Sequence, residues 1–128
     1  MSSITGLHHV QVAAPPGCEN AARAFYGGLL GLEEVEKPPL LAIRGGCWFR
    51  SGAGELHIGI EESFSPATKA HPAFSVDSVT ALDRLAASLT AAGVDVRWAD
   101  DAEIPAQRRF HVNDPWGNRL EVVAARES

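Results

Sequence analysis

The chain has 128 residues, of which 45% are hydrophobic and 21% charged, with a net charge of -5 and a pI near 5.4. This length suits one domain or two small halves that share a core, and the composition is that of an ordinary soluble globular protein. The acidic balance argues against a nucleic-acid partner, and no apolar run approaches the roughly 18 residues of a membrane span.

The cysteines are too few for a disulfide framework. Only Cys18 and Cys47 are present. We therefore predict two reduced thiols in a cytoplasmic protein.

The first half predicts a strand, an amphipathic helix and a meander of short strands. In the opening strand, Leu7, His9, Gln11 and Ala13 share one face because side chains alternate across a strand. The helix is predicted from Glu19 to about Leu32, with Gly31 capping its end. Strands are predicted over 33–36, 40–44, 47–50 and 55–60.

The second half repeats this order after a polar connector over 61–69. Its predicted elements are a strand over 70–76, a helix over 79–92, a strand over 95–98 and a closing hairpin that begins at Phe110. In the helix, Leu82, Leu85, Ala86 and Leu89 recur at helical spacing and are predicted to face inward. Two copies of strand, helix and three strands indicate an internal duplication. The fold class is therefore α+β, with two βαβββ modules over about 5–62 and 69–125.

The closing hairpin carries a carboxylate among apolar neighbours. The turn residues Asn113 to Asn118 separate two β-prone runs, and on the second run Arg119, Glu121 and Val123 face one way. A carboxylate at position 121 is costly to bury unless a cation or hydrogen-bond donors meet it.

Two histidines on first strands are candidate partners for this carboxylate. His9 is predicted on the first strand of the first module, and His71 on the first strand of the second. Two imidazoles and a carboxylate form a ligand set for Fe(II), Mn, Ni or Zn with open coordination positions. The alternative is a pair of core histidines and a salt-bridged Glu121.

The chain resembles the vicinal oxygen chelate superfamily, which contains glyoxalase I, fosfomycin-resistance proteins, extradiol dioxygenases, methylmalonyl-CoA epimerase and bleomycin-resistance proteins. The resemblance lies in three motifs that together cover nearly the whole chain, namely Gly6-Leu7-His8-His9-Val10-Gln11-Val12, Ala22-Arg23-Ala24-Phe25-Tyr26 with Leu29-Leu30-Gly31-Leu32, and Asp114-Pro115-Trp116-Gly117-Asn118-Arg119-Leu120-Glu121.

This resemblance implies a fold of paired βαβββ modules that curl into a cup, as one domain over the whole chain. It also implies that His9, His71 and Glu121 are metal ligands. A fourth ligand position of the glyoxalases falls near His57, which could instead contact substrate, and Glu55 shares its strand face.

Further site residues follow from the same resemblance. His111 lies on the penultimate strand and is predicted as a general acid or base, although a solvated histidine is an equal alternative. Arg109 and Arg119 could bind a substrate carboxylate or phosphate, or form ion pairs with Glu103 or Asp101. Gln11 occupies a position that contacts substrate in fosfomycin-resistance proteins.

The function that these residues imply is a metal-dependent lyase or isomerase, transferase or dioxygenase. The metal would act as a Lewis acid on a small substrate with vicinal oxygens. The alternative is a metal-free binding protein of the bleomycin-resistance type. A homodimer is expected, because pairing between chains completes the cup in this family and covers exposed sheet edges.

Overall fold

The computed structural model describes residues 2–127, which form two compact units that divide between Ser65 and Pro66. The first unit contains strands β1 (His9–Ala14), β2 (Glu33–Val35), β3 (Cys47–Ser51) and β4 (Gly54–Ile60), with short helices α1 (Glu19–Ala22) and α2 (Pro39–Ala42). Its sheet has the order β1-β4-β3-β2, in which β1 pairs parallel with β4 and the other pairs are antiparallel.

The helix of the first unit changes its hydrogen-bond spacing after one turn. Helix α1 continues directly into a π-helical segment over Arg23–Leu29, and the amide of Leu30 donates to the carbonyl of Phe25, five residues earlier. The helical residues therefore end at Leu29, close to the predicted end. Gly31 follows with a φ of 76°, a left-handed conformation that suits glycine at a helix end.

The strand predicted over 40–44 is wrong. This segment forms helix α2, in which the amides of Leu41 and Ala42 both donate to the carbonyl of Pro38. Pro39 at the first helical position has the φ that a helix requires, and its missing N–H costs no hydrogen bond there. Leu40 and Ile43 are 81% and 83% exposed, so the apolar residues that suggested a strand do not enter the core.

The second unit repeats the sheet topology of the first. It contains strands β5 (Ala73–Ser75), β6 (Arg97–Trp98), β7 (Gln107–Asn113) and β8 (Arg119–Ala125), and helix α3 (Val79–Ala91). The sheet order is β5-β8-β7-β6, with β5 parallel to β8 and the other pairs antiparallel. Two four-stranded mixed sheets with few helices confirm the predicted fold class.

Helix α3 follows its predicted pattern. Ser78 caps its start by accepting a hydrogen bond from the amide of Ala81, and Leu82, Ala86 and Leu89 are buried at helical spacing. No helix among residues 2–127 is long and apolar enough to span a membrane.

Strand β5 is shorter than predicted, and His71 lies two residues before it rather than on it. Pro72 explains the difference, because proline has no N–H to donate to a sheet ladder. Its carbonyl still accepts a hydrogen bond from the amide of Glu121. His71 is thus held beside β8 although it lies outside the strand.

Alternation along β8 matches the prediction. Leu120, Val122 and Ala124 are buried, whereas Arg119 and Glu121 are partly exposed on the other face. The sheet therefore separates an apolar core face from a face that carries polar side chains.

Both cysteines are free, in agreement with the prediction of unpaired thiols, and both are buried. Burial is the main cause that raises the pKa of the Cys47 thiol, to about 11. A thiol with this pKa stays protonated at neutral pH and is a poor nucleophile or metal ligand.

The turn between β7 and β8 is stabilised by two buried polar side chains. One carboxylate oxygen of Asp114 accepts from the amides of Trp116 and Asn118, at 3.0 and 2.9 Å. The amide side chain of Asn118 donates to the other oxygen at 2.8 Å and accepts from the amide of Ala67 at 3.0 Å. Asn118 therefore joins the hairpin turn to the segment that leads toward His71.

We expect Asn118→Ala to lower the free energy of unfolding by about 2–3 kcal/mol, because the change leaves the buried carboxylate of Asp114 and the amide of Ala67 without this partner. Chemical denaturation monitored by circular dichroism measures the effect. The matched control is Asn20→Ala at an exposed helical position, for which a loss within about 0.5 kcal/mol is expected. Equal losses in the two variants would contradict this account of the turn.

Glu19 links the start of α1 to the loop before β3. Its carboxylate accepts a 2.7 Å hydrogen bond from the amide of Gly46, and this bond is the main cause that lowers the pKa of Glu19. A lowered folded-state pKa stabilises the fold above the ordinary glutamate pKa of about 4.3, and this stabilisation is lost as the pH falls through the folded value.

We therefore expect Glu19→Gln to reduce the free energy of unfolding by about 1 kcal/mol at neutral pH and by much less at about pH 3, where the wild-type carboxyl is also neutral. Denaturation at both pH values, with the exposed Glu62→Gln as the control, measures this difference. A destabilisation that is the same at both pH values would exclude the charge of Glu19 as its cause.

Candidate functional site

Polar side chains meet at the centre of the second unit's sheet. Glu121 on β8 lies opposite His111 on β7 and opposite Ala73 on β5. Because directly paired residues project to the same face of a sheet, the imidazole of His111 lies beside the Glu121 carboxylate. The neighbouring β7–β8 pair brings Arg109 to the same face.

Two imidazole nitrogens converge on one carboxylate oxygen. Nε2 of His71 lies 3.2 Å and Nε2 of His111 lies 3.1 Å from Oε1 of Glu121. One candidate ligand atom from each of these residues lies within 4.8 Å of the other two. We call His71, His111 and Glu121 the second-unit cluster.

The backbone fixes the proton of His71. Its Nδ1 lies 2.8 Å from the carbonyl oxygen of Lys69, and a carbonyl oxygen can only accept, so Nδ1 carries a proton. In the neutral imidazole, Nε2 then presents a lone pair to the Glu121 carboxylate. Two acceptors face each other across 3.2 Å, and this arrangement requires a proton or a cation between them.

His111 has two competing partners at one nitrogen. Its Nε2 lies 3.1 Å from Glu121 and 3.1 Å from a guanidinium nitrogen of Arg119. An arginine only donates and a carboxylate only accepts, so one protonation state cannot satisfy both contacts. Burial, followed by the charge of Arg119, lowers the pKa of His111, which favours the neutral ring.

The two arginines differ in their partners. Arg109 donates to Glu103 at 3.0 Å and lies 3.7 Å from Glu121, so the ion pair with Glu103 that the sequence left open is present. Arg119 instead contacts the ring of His111. The side chain of Glu121 is only 14% exposed, and these neighbours partly offset the cost of its burial.

The first unit has its own polar face. His9 and Gln11 on β1 lie opposite Glu55 and His57 on β4. Nε2 of His57 lies 2.9 Å from a carboxylate oxygen of Glu55, and this hydrogen bond is the main cause that lowers the pKa of Glu55. The His57 residue is only 5% exposed.

The burial of His57 results from ring stacking. Its imidazole stacks on that of His9, with centroids 4.3 Å apart, and on the indole of Trp48, at 4.0 Å. A cavity of about 540 Å³ opens beside this stack. Because His57 lies between two rings, its environment is more enclosed than that of an ordinary strand histidine.

The predicted site residues thus fall into two groups. The second unit brings together His71, His111, Glu121, Arg109 and Arg119, whereas the first unit brings together His9, Gln11 and His57. The assignment of His9 as a metal ligand remains a prediction, as do the catalytic and substrate-binding roles of the other residues.

Sequence reasoning missed Trp48 as a member of the polar face. The sequence feature that could have identified Trp48 is the short turn between β3 and β4, in which Ser51 pairs with Gly54. Counting back from that turn pairs Trp48 with His57 and places the two rings on the same face.

The matches to known proteins agree with this fold and these motifs. Residues 6–122 match the model of the Glyoxalase/Bleomycin resistance protein/Dioxygenase superfamily. The chain belongs to this superfamily. No curated protein sequence matches the chain.

Among solved structures, a glyoxalase family protein from Bacillus anthracis is 48% identical, with a TM-score of 0.91 over 98% of this chain and 99% of that one. The lactoylglutathione lyase of Agrobacterium tumefaciens is 20% identical, with a TM-score of 0.75 over 96% of each chain. The fosfomycin resistance protein FosX of Listeria monocytogenes is 20% identical, with a TM-score of 0.76 over 95% of this chain and 94% of that one. At these lower identities the similarity shows the shared fold.

The contact with Lys69 makes the tautomer of His71 testable. In metal-free protein we expect a His71 ring with a single proton to carry that proton on Nδ1. Long-range proton–nitrogen NMR correlations distinguish the two ring nitrogens. The Glu121→Gln variant should show the same tautomer, because the Lys69 carbonyl is unchanged, and a proton on Nε2 in both proteins would contradict the assignment.

Proposed function

We propose that this protein is a metal-dependent enzyme of the vicinal oxygen chelate type, which acts on a small substrate with two adjacent oxygens. The observation that carries the proposal is the convergence of His71 Nε2 and His111 Nε2 on Oε1 of Glu121. Membership of the superfamily supports metal-dependent chemistry on adjacent oxygens but does not identify the reaction. The superfamily's own description includes glyoxalases, bleomycin-resistance proteins and dioxygenases.

The residues fit a divalent cation. His71 has the arrangement common to metal-bound histidines, in which the ring nitrogen away from the ion donates to a backbone carbonyl. Its other nitrogen and the Glu121 oxygen would be ligands, and His9 is the third ligand that the resemblance assigns. This nitrogen and oxygen donor set suits Zn, Ni, Mn or Fe(II). When bound, the ion would supply Lewis-acid stabilisation of a developing oxyanion.

The geometry around His111 suits it for proton transfer. Its Nε2 can accept a hydrogen bond from Arg119 or donate one to Glu121, and the two arrangements differ by one proton on that nitrogen. A substrate proton taken up by Nε2 would break the contact with Arg119 and strengthen that with Glu121. We assign His111 as the general acid or base on this ground.

The arginines would orient the substrate. As Nε2 of His111 takes up the substrate proton, the guanidinium of Arg119 would no longer donate to it and could hold the substrate oxygen on which negative charge develops. Arg109, fixed by Glu103, would do so from the other side of Glu121. On the first unit, Gln11 and His57 are proposed as further substrate contacts, and a homodimer is the proposed assembly.

The test is metal content per chain, measured by elemental analysis on protein purified without added metal or an affinity tag. We expect about one divalent ion per chain in the wild type, and loss of that ion in His71→Ala and Glu121→Gln, because each variant removes a ligand. The metal's identity then selects the assays, with Fe(II) pointing to a dioxygenase and Zn, Ni or Mn to a lyase, isomerase or transferase.

Two further variants make this test specific. Glu62→Gln removes an exposed carboxylate outside the cluster and should retain the ion. His111→Gln should also retain it if His111 moves a proton, whereas loss of the ion would make His111 a ligand instead. If the wild type binds no metal even after reconstitution, the enzyme proposal fails and the metal-free binding protein is favoured.

A further inference from the structure

The segment that carries His71 has no regular secondary structure of its own. It runs over residues 66–72, from the start of the second unit to the start of β5 at Ala73. Residues 66–70 are all exposed. An exposed irregular segment has few buried contacts to hold it, so the position of His71 depends on the hydrogen bonds that the segment makes.

The hairpin turn between β7 and β8 binds both backbone groups of Ala67. The amide of Ala67 donates to Oδ1 of Asn118 at 3.0 Å, and its carbonyl accepts from the amide of Arg119 at 2.9 Å. The ring of Pro66 lies against the same turn, where a Cβ added to Gly117 would come within 3.4 Å of it. We call these five residues the clasp.

The segment and the hairpin are joined again beyond the clasp. The carbonyl of Lys69 accepts from Nδ1 of His71 at 2.8 Å. The amide of Glu121 donates to the carbonyl of Pro72 at 3.0 Å. The clasp therefore lies two residues before each of these contacts along its own strand of the chain, and between them Nε2 of His71 lies 3.2 Å from Oε1 of Glu121.

The orientation of the Asn118 side chain is fixed by its burial and by Asp114. Asn118 is only 1% exposed, and its Nδ2 donates to a carboxylate oxygen of Asp114 at 2.8 Å. Because the nitrogen end of the amide is directed at Asp114, the oxygen end is directed at the amide of Ala67. The buried turn thus determines where the exposed segment lies.

We propose that Asn118 is a positioning residue for His71, and that the clasp sets the separation between the His71 nitrogen and the Glu121 oxygen. This role deepens the proposed function and rests on it, because a metal ligand that is held in place by outer contacts binds its ion more tightly. The position of the His71 ring can also be measured in metal-free protein.

The first measurement is the affinity for Zn²⁺, titrated in competition with a chelating dye. We expect Asn118→Ala to weaken Zn²⁺ binding by about tenfold or more, as the loss of an outer contact to a metal ligand does. The matched control is Leu89→Ala, which destabilises the fold by removing a buried side chain from α3 and is not part of the clasp. It should weaken Zn²⁺ binding to the folded protein by less than about twofold.

Pro66→Gly tests the clasp even if Asn118→Ala fails to fold. Pro66 is exposed, so the fold should tolerate the loss of its ring contact with Gly117 and the added backbone freedom. We expect Zn²⁺ binding to weaken by about three- to fivefold. The matched control is Pro16→Gly, which makes the same exchange at an exposed position of the first unit and should change the affinity by less than about twofold.

The second measurement separates the positioning role from the metal proposal. NMR relaxation of the His71 ring in metal-free protein gives an order parameter, which falls as the ring becomes more mobile. We expect a lower value in Asn118→Ala and Pro66→Gly than in the wild type, and the wild-type value in Leu89→Ala and Pro16→Gly. If the wild type binds no Zn²⁺, the proposed metal function fails and this measurement alone decides the positioning role.

Two outcomes would overturn the inference. One is an order parameter of the His71 ring that is unchanged in both clasp variants. The other is a loss of Zn²⁺ affinity that is equal in the clasp variants and in their matched controls, because the effect would then follow general destabilisation rather than the position of His71.

Discussion

The physical constraint at the centre of the second unit is the cost of keeping the Glu121 carboxylate in a largely buried position. Strand alternation places it on the polar face of β8, next to buried Leu120 and Val122. A carboxylate in such a place needs positive or donating partners. His71, His111 and Arg109 lie around one of its oxygens, and the backbone contact of His71 turns a lone pair toward this oxygen, so that a proton or a cation is required between them.

The two units share one sheet topology but carry different polar side chains on it. In both sheets the first strand pairs parallel with the fourth, and this pairing brings a residue from the start of each unit opposite the last strand. In the second unit the pairing supports a carboxylate surrounded by imidazoles. In the first it produces a ring stack beside a cavity. The same sheet topology therefore positions different functional groups in the two units.

Short-range signals predicted most of the fold. The Asn-Asp-Pro-Trp-Gly-Asn turn, the spacing of apolar residues in α3 and the alternation in β8 each depend on a few neighbouring residues, and the structure confirms all three. The prediction failed over 40–44, where apolar residues that suggested a strand follow two prolines. Pro39, at the first helical position, stabilises a helical turn there. Leu40 and Ile43 are exposed and contribute nothing to the core.

The sequence by itself determined the family motifs, the two-module order and the identity of the candidate ligands, because these depend on residue type and local spacing. Only the tertiary structure decided which atoms meet. The position of His111 beside Glu121, the Nδ1 proton of His71 and the stacking of His57 on Trp48 depend on strand register and on one carbonyl contact. Register is fixed by packing and pairing across many residues, so a single local pattern cannot specify it.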